Sequence, residues 1–119
     1  MKKFITKDSG KRIEYKSGMN RDHQDGKPRY DLLIAIGHKN HMLKRWADLM
    51  NRGLVKYGIR NWEIANSQEE IERFKASAFR HFIQWFTEED TEEDHAAAVF
   101  FNINACEFLK EKLDNEKIS

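Results

Sequence analysis

Apolar side chains follow no period through the first 30 residues, where Ser9-Gly10, Ser17-Gly18, Asp25-Gly26 and the only proline, Pro28, interrupt every run. Punctuation of that density predicts an irregular arm, with a short strand near Arg12–Tyr15 as its one regular stretch. The run Leu32, Leu33, Ile34, Ala35 and Ile36, closed by Gly37, suits a buried helical turn or a strand, and its period does not decide between them. From Asn40 the spacing changes. Met42, Leu43, Trp46, Leu49 and Met50 recur at three- and four-residue intervals, which predicts an amphipathic helix with Gly53 as its left-handed stop. Ser67, with Glu70 three residues on, forms a capping box, and Ile71, Phe74, Ala78, Phe82 and Trp85 carry a second, longer helix to about Phe86. After the acidic turn Thr87–Asp90, Thr91 can cap a third helix with Asp94 at its third position. Ala98, Val99, Ile103, Cys106, Leu109 and Leu113 then form its core face, and residues 115–119 are expected to fray.

Three helices on short links, with hardly any β-alternation and no internal repeat, predict an all-α fold, a small helical bundle behind an irregular N-terminal arm. A chain of 119 residues has room for one domain, expected at residues 17–114 between the arm, 1–16, and the tail, 115–119. Hydrophobic residues make up 39% of the chain, enough for one core. A 34% charged content and a mean hydropathy of -0.83 exclude a membrane-spanning run. Thr6, Lys7, Asp8, Ser9 and Gly10 break the apolar stretch a signal peptide needs, so a cytoplasmic location is expected. The single cysteine, Cys106, can make neither an internal disulfide nor a multi-cysteine zinc site, which fits a reducing compartment. Three Trp and eight Phe are a large apolar load for so short a chain, so an oligomer with a shared helical core, a homodimer or homotetramer, is expected.

The net charge of +1 hides an asymmetry. Residues 1–60 carry 15 Lys and Arg against 6 Asp and Glu, whereas residues 61–119 carry 6 against 14. Folding can set a cationic wall opposite an anionic one, a cleft suited to a phosphorylated ligand bringing its own divalent metal; charged faces that merely keep a helical protein soluble account for the split equally well. Glu88-Glu89-Asp90-Thr91-Glu92-Glu93-Asp94-His95 packs seven potential metal ligands into eight positions where a helix begins. Such oxygen-rich clusters suit Mg²⁺ or Mn²⁺, although acidic residues also stabilise the first turn of any helix. Glu92, His95 and Asn102 are spaced to share one helical face, and on the preceding helix His81, flanked by Arg80 and Gln84, interrupts an apolar face. The basic half offers Lys27-Pro28-Arg29-Tyr30-Asp31 and Lys56-Tyr57-Gly58-Ile59-Arg60-Asn61-Trp62, cations for phosphate and rings for a base, or else rings that pin a loop to the core. There is no Walker A sequence, no dinucleotide glycine loop, no Gly-x-Ser-x-Gly and no Cys-x-x-Cys.

Five blocks occur in order: Ser17-Gly18-Met19-x-Arg21-Asp22, Lys27-Pro28-Arg29-Tyr30-Asp31-Leu32, Lys56-Tyr57-Gly58-x-Arg60-Asn61-Trp62, Ser77-x-x-Arg80-His81-x-x-x-Trp85 and Glu93-Asp94-His95-x-Ala97-Ala98-Val99-x-x-Asn102. Their series, from about Ser17 to Asn102, resembles the phage-associated dATP/dGTP diphosphohydrolase family, itself similar to the all-α MazG-like nucleoside triphosphate pyrophosphohydrolases. The resemblance implies Mg²⁺-dependent hydrolysis of a purine deoxynucleoside triphosphate, dGTP or dATP, to monophosphate and pyrophosphate, serving nucleotide-pool control by a phage in its host's cytoplasm. It implies Glu92, His95 and His81 as catalytic residues and Glu89, Glu92, Asp94 and His95 as ligands of Mg²⁺ or Mn²⁺. Lys27, Arg29, Lys56, Arg60 and Arg80 would clamp the triphosphate, Tyr30, Tyr57 or Trp62 would contact base or sugar, and Asn61 and Asn102 would complete the substrate site. MazG-like enzymes carry Glu-x-x-Glu on one helix and Glu-x-x-Asp on the next, with Asn seven residues after the Asp. Here Glu92-x-x-His95 with Asn102 takes the second place and Arg80-His81-x-x-Gln84 the first. Either the ligand set differs, or Glu88, Glu89 and Asp90 substitute from the turn.

Two other functions fit the composition. A module without chemistry could sequester a nucleotide, or hold nucleic acid through the basic half; scattered cations and an anionic second half argue against nucleic acid. A helical interaction protein would use the apolar payload on a partner and the acidic turn as a cap only.

Overall fold

Helix starts in this chain are written in side-chain hydrogen bonds. The computed structural model describes residues 3–23 and 26–118, apart from the side chains of Lys117 and Ile118. Among the described residues there are three α-helices, α1 (Met42–Tyr57), α2 (Gln68–Phe86) and α3 (His95–Ile118), and two short strands, β1 (Arg12–Glu14) and β2 (Asn20–Asp22). The fold is therefore all-α with a small hairpin, as the periodicity predicts. The chain divides into two compact units, Met1–Ile34 and Ala35–Ser119.

In the first unit, β1 pairs antiparallel with β2, Ile13 opposite Arg21, so the expected strand near Arg12–Tyr15 is present with a partner that no apolar alternation announced. A 3-10 turn follows at Tyr30–Leu33. The apolar run is neither buried helix nor strand: Leu32 and Leu33 lie on this turn with 70% and 67% of their surface exposed.

In the second unit, the capping box forms as predicted. Ser67 Oγ accepts the N–H of Glu70, whose carboxylate accepts in return from Ser67 Oγ and the Asn66 N–H. Three other boundaries depart from expectation. Gly53 does not stop α1, which runs four residues further; Gly58, with φ 86°, ends it by donating its N–H to the Leu54 carbonyl. A glycine stops a helix only where the backbone turns left-handed, and Gly53 stays helical. Thr91 does not cap α3. Asp94 does, its Oδ1 accepting the Ala97 N–H at 3.1 Å, so the helix begins three residues later than its acidic sequence suggests. At the other end α3 continues through Asn115 to Ile118, past the point where fraying is expected; Ser119 lies outside the described residues.

The α2–α3 pair is antiparallel, because early α2 meets late α3 and late α2 meets early α3. Ile71 packs with Cys106 and Leu109, supported by Phe74 and Leu113, while His81 meets His95. The inner stripe of α2 is Ile71, Phe74, Ala78 and His81, at three- and four-residue steps. Phe82 and Trp85, expected in the core, face outward beside Phe79 and Phe86, and on α3 Ile103 is likewise half exposed. Helix α1 packs on α3 through Trp46 against Phe100, rings edge to face at 6.4 Å. Trp62, on a 3-10 turn at Asn61–Ile64, packs edge to face on Phe101 and Phe108 of α3, and Lys112 ties the same segment by donating to the carbonyls of Glu63 and Ala65. The tightly buried apolar set is small: Ala65, Ile71, Ala97, Ala98, Ala105, Cys106 and Leu109. Among the described residues no helix is long and apolar enough to cross a membrane.

Candidate active site

The turn between α2 and α3 is built by a C-terminal cap without glycine. The Glu89 N–H bonds back to the Gln84 carbonyl and the Glu88 N–H to that of Trp85, a Schellman arrangement with Glu88 in the left-handed position at φ 56°. The turn thereby aims Glu88, Glu89 and Asp90 at an open cleft of about 520 Å³, completed by Arg45, Gln84, Trp85, Phe86, Glu93, Asp94, His95 and Ala96.

Helix α1 supplies the opposite charge. Arg45, Arg52 and Lys56 stand seven and four residues apart, which places all three within a few tens of degrees on one helical face. Arg45 grips Asp94 with both forks, Nη2 to Oδ1 at 2.6 Å and Nε to Oδ2 at 2.9 Å. Those bonds, with the Ala97 N–H and the charges of Arg45 and Arg52, hold the Asp94 carboxyl below its ordinary pKa against the opposing effect of burial. Lys56 lies over the Tyr57 ring at 5.0 Å; Tyr57 first, and then the charge of Glu93, raise its pKa. Arg45 thus grips the carboxylate that caps α3, and the charges of Arg52 and Lys56 reach Asp94 and Glu93. Arg45 and Arg52 escaped the sequence reading; the signal that finds them is the helical phase, seven residues and then four, that runs from Arg45 to Lys56.

His81 and His95, both 7% exposed, meet with their Nδ1 atoms 3.0 Å apart. His95 Nε2 lies 2.9 Å from Thr91 Oγ1, and His81 Nε2 lies 3.4 Å from an Arg80 guanidinium nitrogen. Burial first, and then the Arg80 charge, push the His81 pKa down, with Glu93 opposing. Glu92 has φ 66° and lies before α3, so the common face expected of Glu92, His95 and Asn102 reduces to His95 and Asn102. Asn102 is buried and donates to the Ala98 carbonyl of its own helix.

The remaining sequence candidates belong to other elements. Trp62 packs on Phe101 and Phe108, which are six and 13 residues, roughly 9 and 20 Å, along α3 from His95. Arg60 pairs with Glu63 on the same turn, and Asn61 is exposed beside it. Lys27, Arg29 and Tyr30 belong to the hairpin unit. There Lys27 pairs with Asp22 at 3.3 Å, Arg29 grips Asp31 at 2.7–2.8 Å, and Tyr30 is exposed.

As a set of cation ligands, the expected residues divide. The Asp94 oxygens are taken by Arg45 and the helix cap, and each His95 nitrogen already has a partner. Among the described residues no three His, Cys, Asp or Glu side chains converge as a metal ion needs. Nearer the α2 end the chemistry is different: Glu88, Glu89 and Asp90 are exposed around the cleft, and Gln84 Oε1 is buried there without a hydrogen-bond partner. An orphaned acceptor oxygen beside exposed carboxylates fits a hard, oxygen-seeking cation.

A family model described as dATP/dGTP diphosphohydrolase, N-terminal, matches residues 17–117. No curated protein and no solved structure matches the chain.

Proposed function

The chain belongs to the dATP/dGTP diphosphohydrolase N-terminal family, and from that premise we propose that it hydrolyses dGTP or dATP to the monophosphate and pyrophosphate with a divalent cation. One observation carries this reading: a cleft lined by Arg45 and by the carboxylates of the α2–α3 turn, with Arg52 and Lys56 further along the same face of α1 and their charges within reach of Asp94 and Glu93. A nucleotide triphosphate complexed with a metal presents both charges and needs both walls. Among the described residues Lys56 and Arg52 carry no side-chain ion pair and would receive phosphate oxygens, whereas Arg45 is committed to Asp94 at the start of α3. Glu89 and Gln84 Oε1, with water filling the rest of the shell, would hold Mg²⁺ or Mn²⁺. When bound, the cation would neutralise charge developing on the phosphate oxygens. A second copy would cover the outward stripe Phe79, Phe82, Ile83 and Phe86 of α2, giving the homodimer or homotetramer expected of so small a core. Pool control in the cytoplasm of a phage-infected cell is the biological setting this chemistry suits.

The test is chromatographic product analysis after incubating the protein with each common deoxynucleoside and ribonucleoside triphosphate, with Mg²⁺, with Mn²⁺ and with chelator. Monophosphate and pyrophosphate from dGTP or dATP, abolished by chelation, is the expected outcome. A second reading, nucleotide binding without turnover, is favoured by the occupied ligands of Asp94 and His95. It is the conclusion if nucleotide binds and no product forms.

A further inference from the structure

The buried histidine pair lies within a longer chain of contacts whose two ends have fixed chemistry. At one end Arg80 can only donate. At the other, Thr91 Oγ1 lies 3.4 Å from Glu93 Oε1, and a carboxylate can only accept. Between them every contact is then determined. Arg80 donates to His81 Nε2, so the His81 proton is on Nδ1 and is given to His95 Nδ1 across 3.0 Å. His95 therefore carries its proton on Nε2 and gives it to Thr91 Oγ1, whose hydroxyl proton goes to Glu93. Each group donates once and accepts once, and each ring holds a single proton. Reversing any middle bond would leave two donors or two acceptors facing one another.

This chain ends at a cleft carboxylate that differs from its neighbours. The Asp94 oxygens are occupied by Arg45 and the helix cap. Asp90 Oδ1 accepts the Glu92 N–H, and Glu92 does not line the cleft. Glu93 lines the cleft, is tied through one oxygen to a buried network, and is felt electrostatically by both His81 of α2 and Lys56 of α1.

The geometry points to Glu93 as the carboxylate that orients and deprotonates the attacking water, held in place by Arg80, His81, His95 and Thr91 as positioning residues. In the step, the water oxygen bonds to phosphorus, the bridging P–O bond to pyrophosphate breaks, and the water proton passes to the free Glu93 oxygen. This inference rests on the hydrolase reading above. It assigns the two histidines to holding Glu93, not to catalysis or metal binding.

The experiment combines turnover with the ¹⁵N spectra of the histidine rings in the full chain. Glu93→Gln is expected to lower kcat by about 100-fold or more with KM within a few-fold, and an unchanged far-UV circular dichroism spectrum. Thr91→Val is expected to lower kcat about tenfold and shift the His95 Nε2 resonance, and Thr91→Ser to restore both. In the wild type the rings should show protons on His81 Nδ1 and His95 Nε2. Turnover of Glu93→Gln within about threefold of wild type would overturn the role of Glu93, and an Nε2 proton on His81 would overturn the chain. A wild type that hydrolyses none of the triphosphates would overturn the hydrolase reading and the role of Glu93 together. A wild type that works alongside an equally active Glu93→Gln overturns this inference alone.

Discussion

None of the described residues of the hairpin unit is buried, and its side chains meet mainly as ions: Arg12 with Asp8 at 2.7 Å, Lys27 with Asp22 at 3.3 Å and Arg29 with Asp31 at 2.7 Å. The helical unit has the reverse construction, with Ile71, Cys106 and Leu109 closed over by Phe74 and Leu113, and a bidentate ion pair, Arg45–Asp94, at the edge of its cleft. Exposed ion pairs contribute about 0–1 kcal/mol each and weaken with salt, whereas burying one leucine contributes about 1.5–3 kcal/mol and is indifferent to salt. The two units should therefore respond to different perturbations.

The largest separation is expected from Leu109→Ala. Among the described residues Leu109 is the one large side chain that is fully buried, and its truncation should cost the helical unit about 2–5 kcal/mol in denaturant unfolding. A loss well below 1 kcal/mol would show that the surrounding side chains collapse into the space. Arg45→Met comes next. It leaves Asp94, with 19% of its side chain exposed, without its cationic partner, and a loss of about 1–3 kcal/mol is expected in the same assay. Ser67→Ala removes one half of the capping box and should cost about 1 kcal/mol.

Acidification sharpens the comparison inside the helical unit. The His81 pKa is lowered by folding, so below its ordinary value of about 6.5 the unfolded chain takes up the proton first. The stability tied to the neutral ring is present above that pH and is lost as the pH falls through it. The Asp94 pKa is also lowered, but from the carboxylate range, so the Arg45 contribution should persist until the pH drops below about 4. Thermal melts over these two ranges should show two separate losses, the first flattened in His81→Gln and the second in Arg45→Met. The smallest effect belongs to the hairpin: 1 M salt, a level at which the Debye length is about 3 Å, should speed its amide hydrogen exchange by a few-fold while leaving the melting of the helices unchanged.

The three helices were legible because their apolar periods are long and their signals local. Ser67 and Glu70 act within four residues of each other, and such a motif reads correctly from a sequence. The inner face of α2 was not legible to the same depth. Two apolar stripes share that helix, and only packing against His95 selects the one containing His81 and leaves Phe82 and Trp85 outside. The start of α3 was misplaced because Thr91 and Asp94 are both good caps, and the choice was made by Arg45, 49 residues away, which fixes Asp94. The candidate site follows the same logic. Its acidic turn is contiguous and visible, whereas the opposing cations are dispersed along α1 and come into phase only once the helix is known to pass Gly53. The histidine pair could be suspected from sequence, but not the contacts that give it a direction.

The Schellman turn at Glu88 has a consequence for how this protein could change. An L-residue other than glycine in the left-handed region costs about 1–2 kcal/mol of backbone energy, so glycine would suit the fold better at this position. The chain keeps instead a carboxylate that lines the cleft. Comfort of the backbone and charge at the cleft are thus set against each other in a single residue. A lineage selected only for robustness would drift to glycine there and lose one negative charge from the cleft, and one selected for that charge would keep the awkward glutamate and accept a more fragile turn.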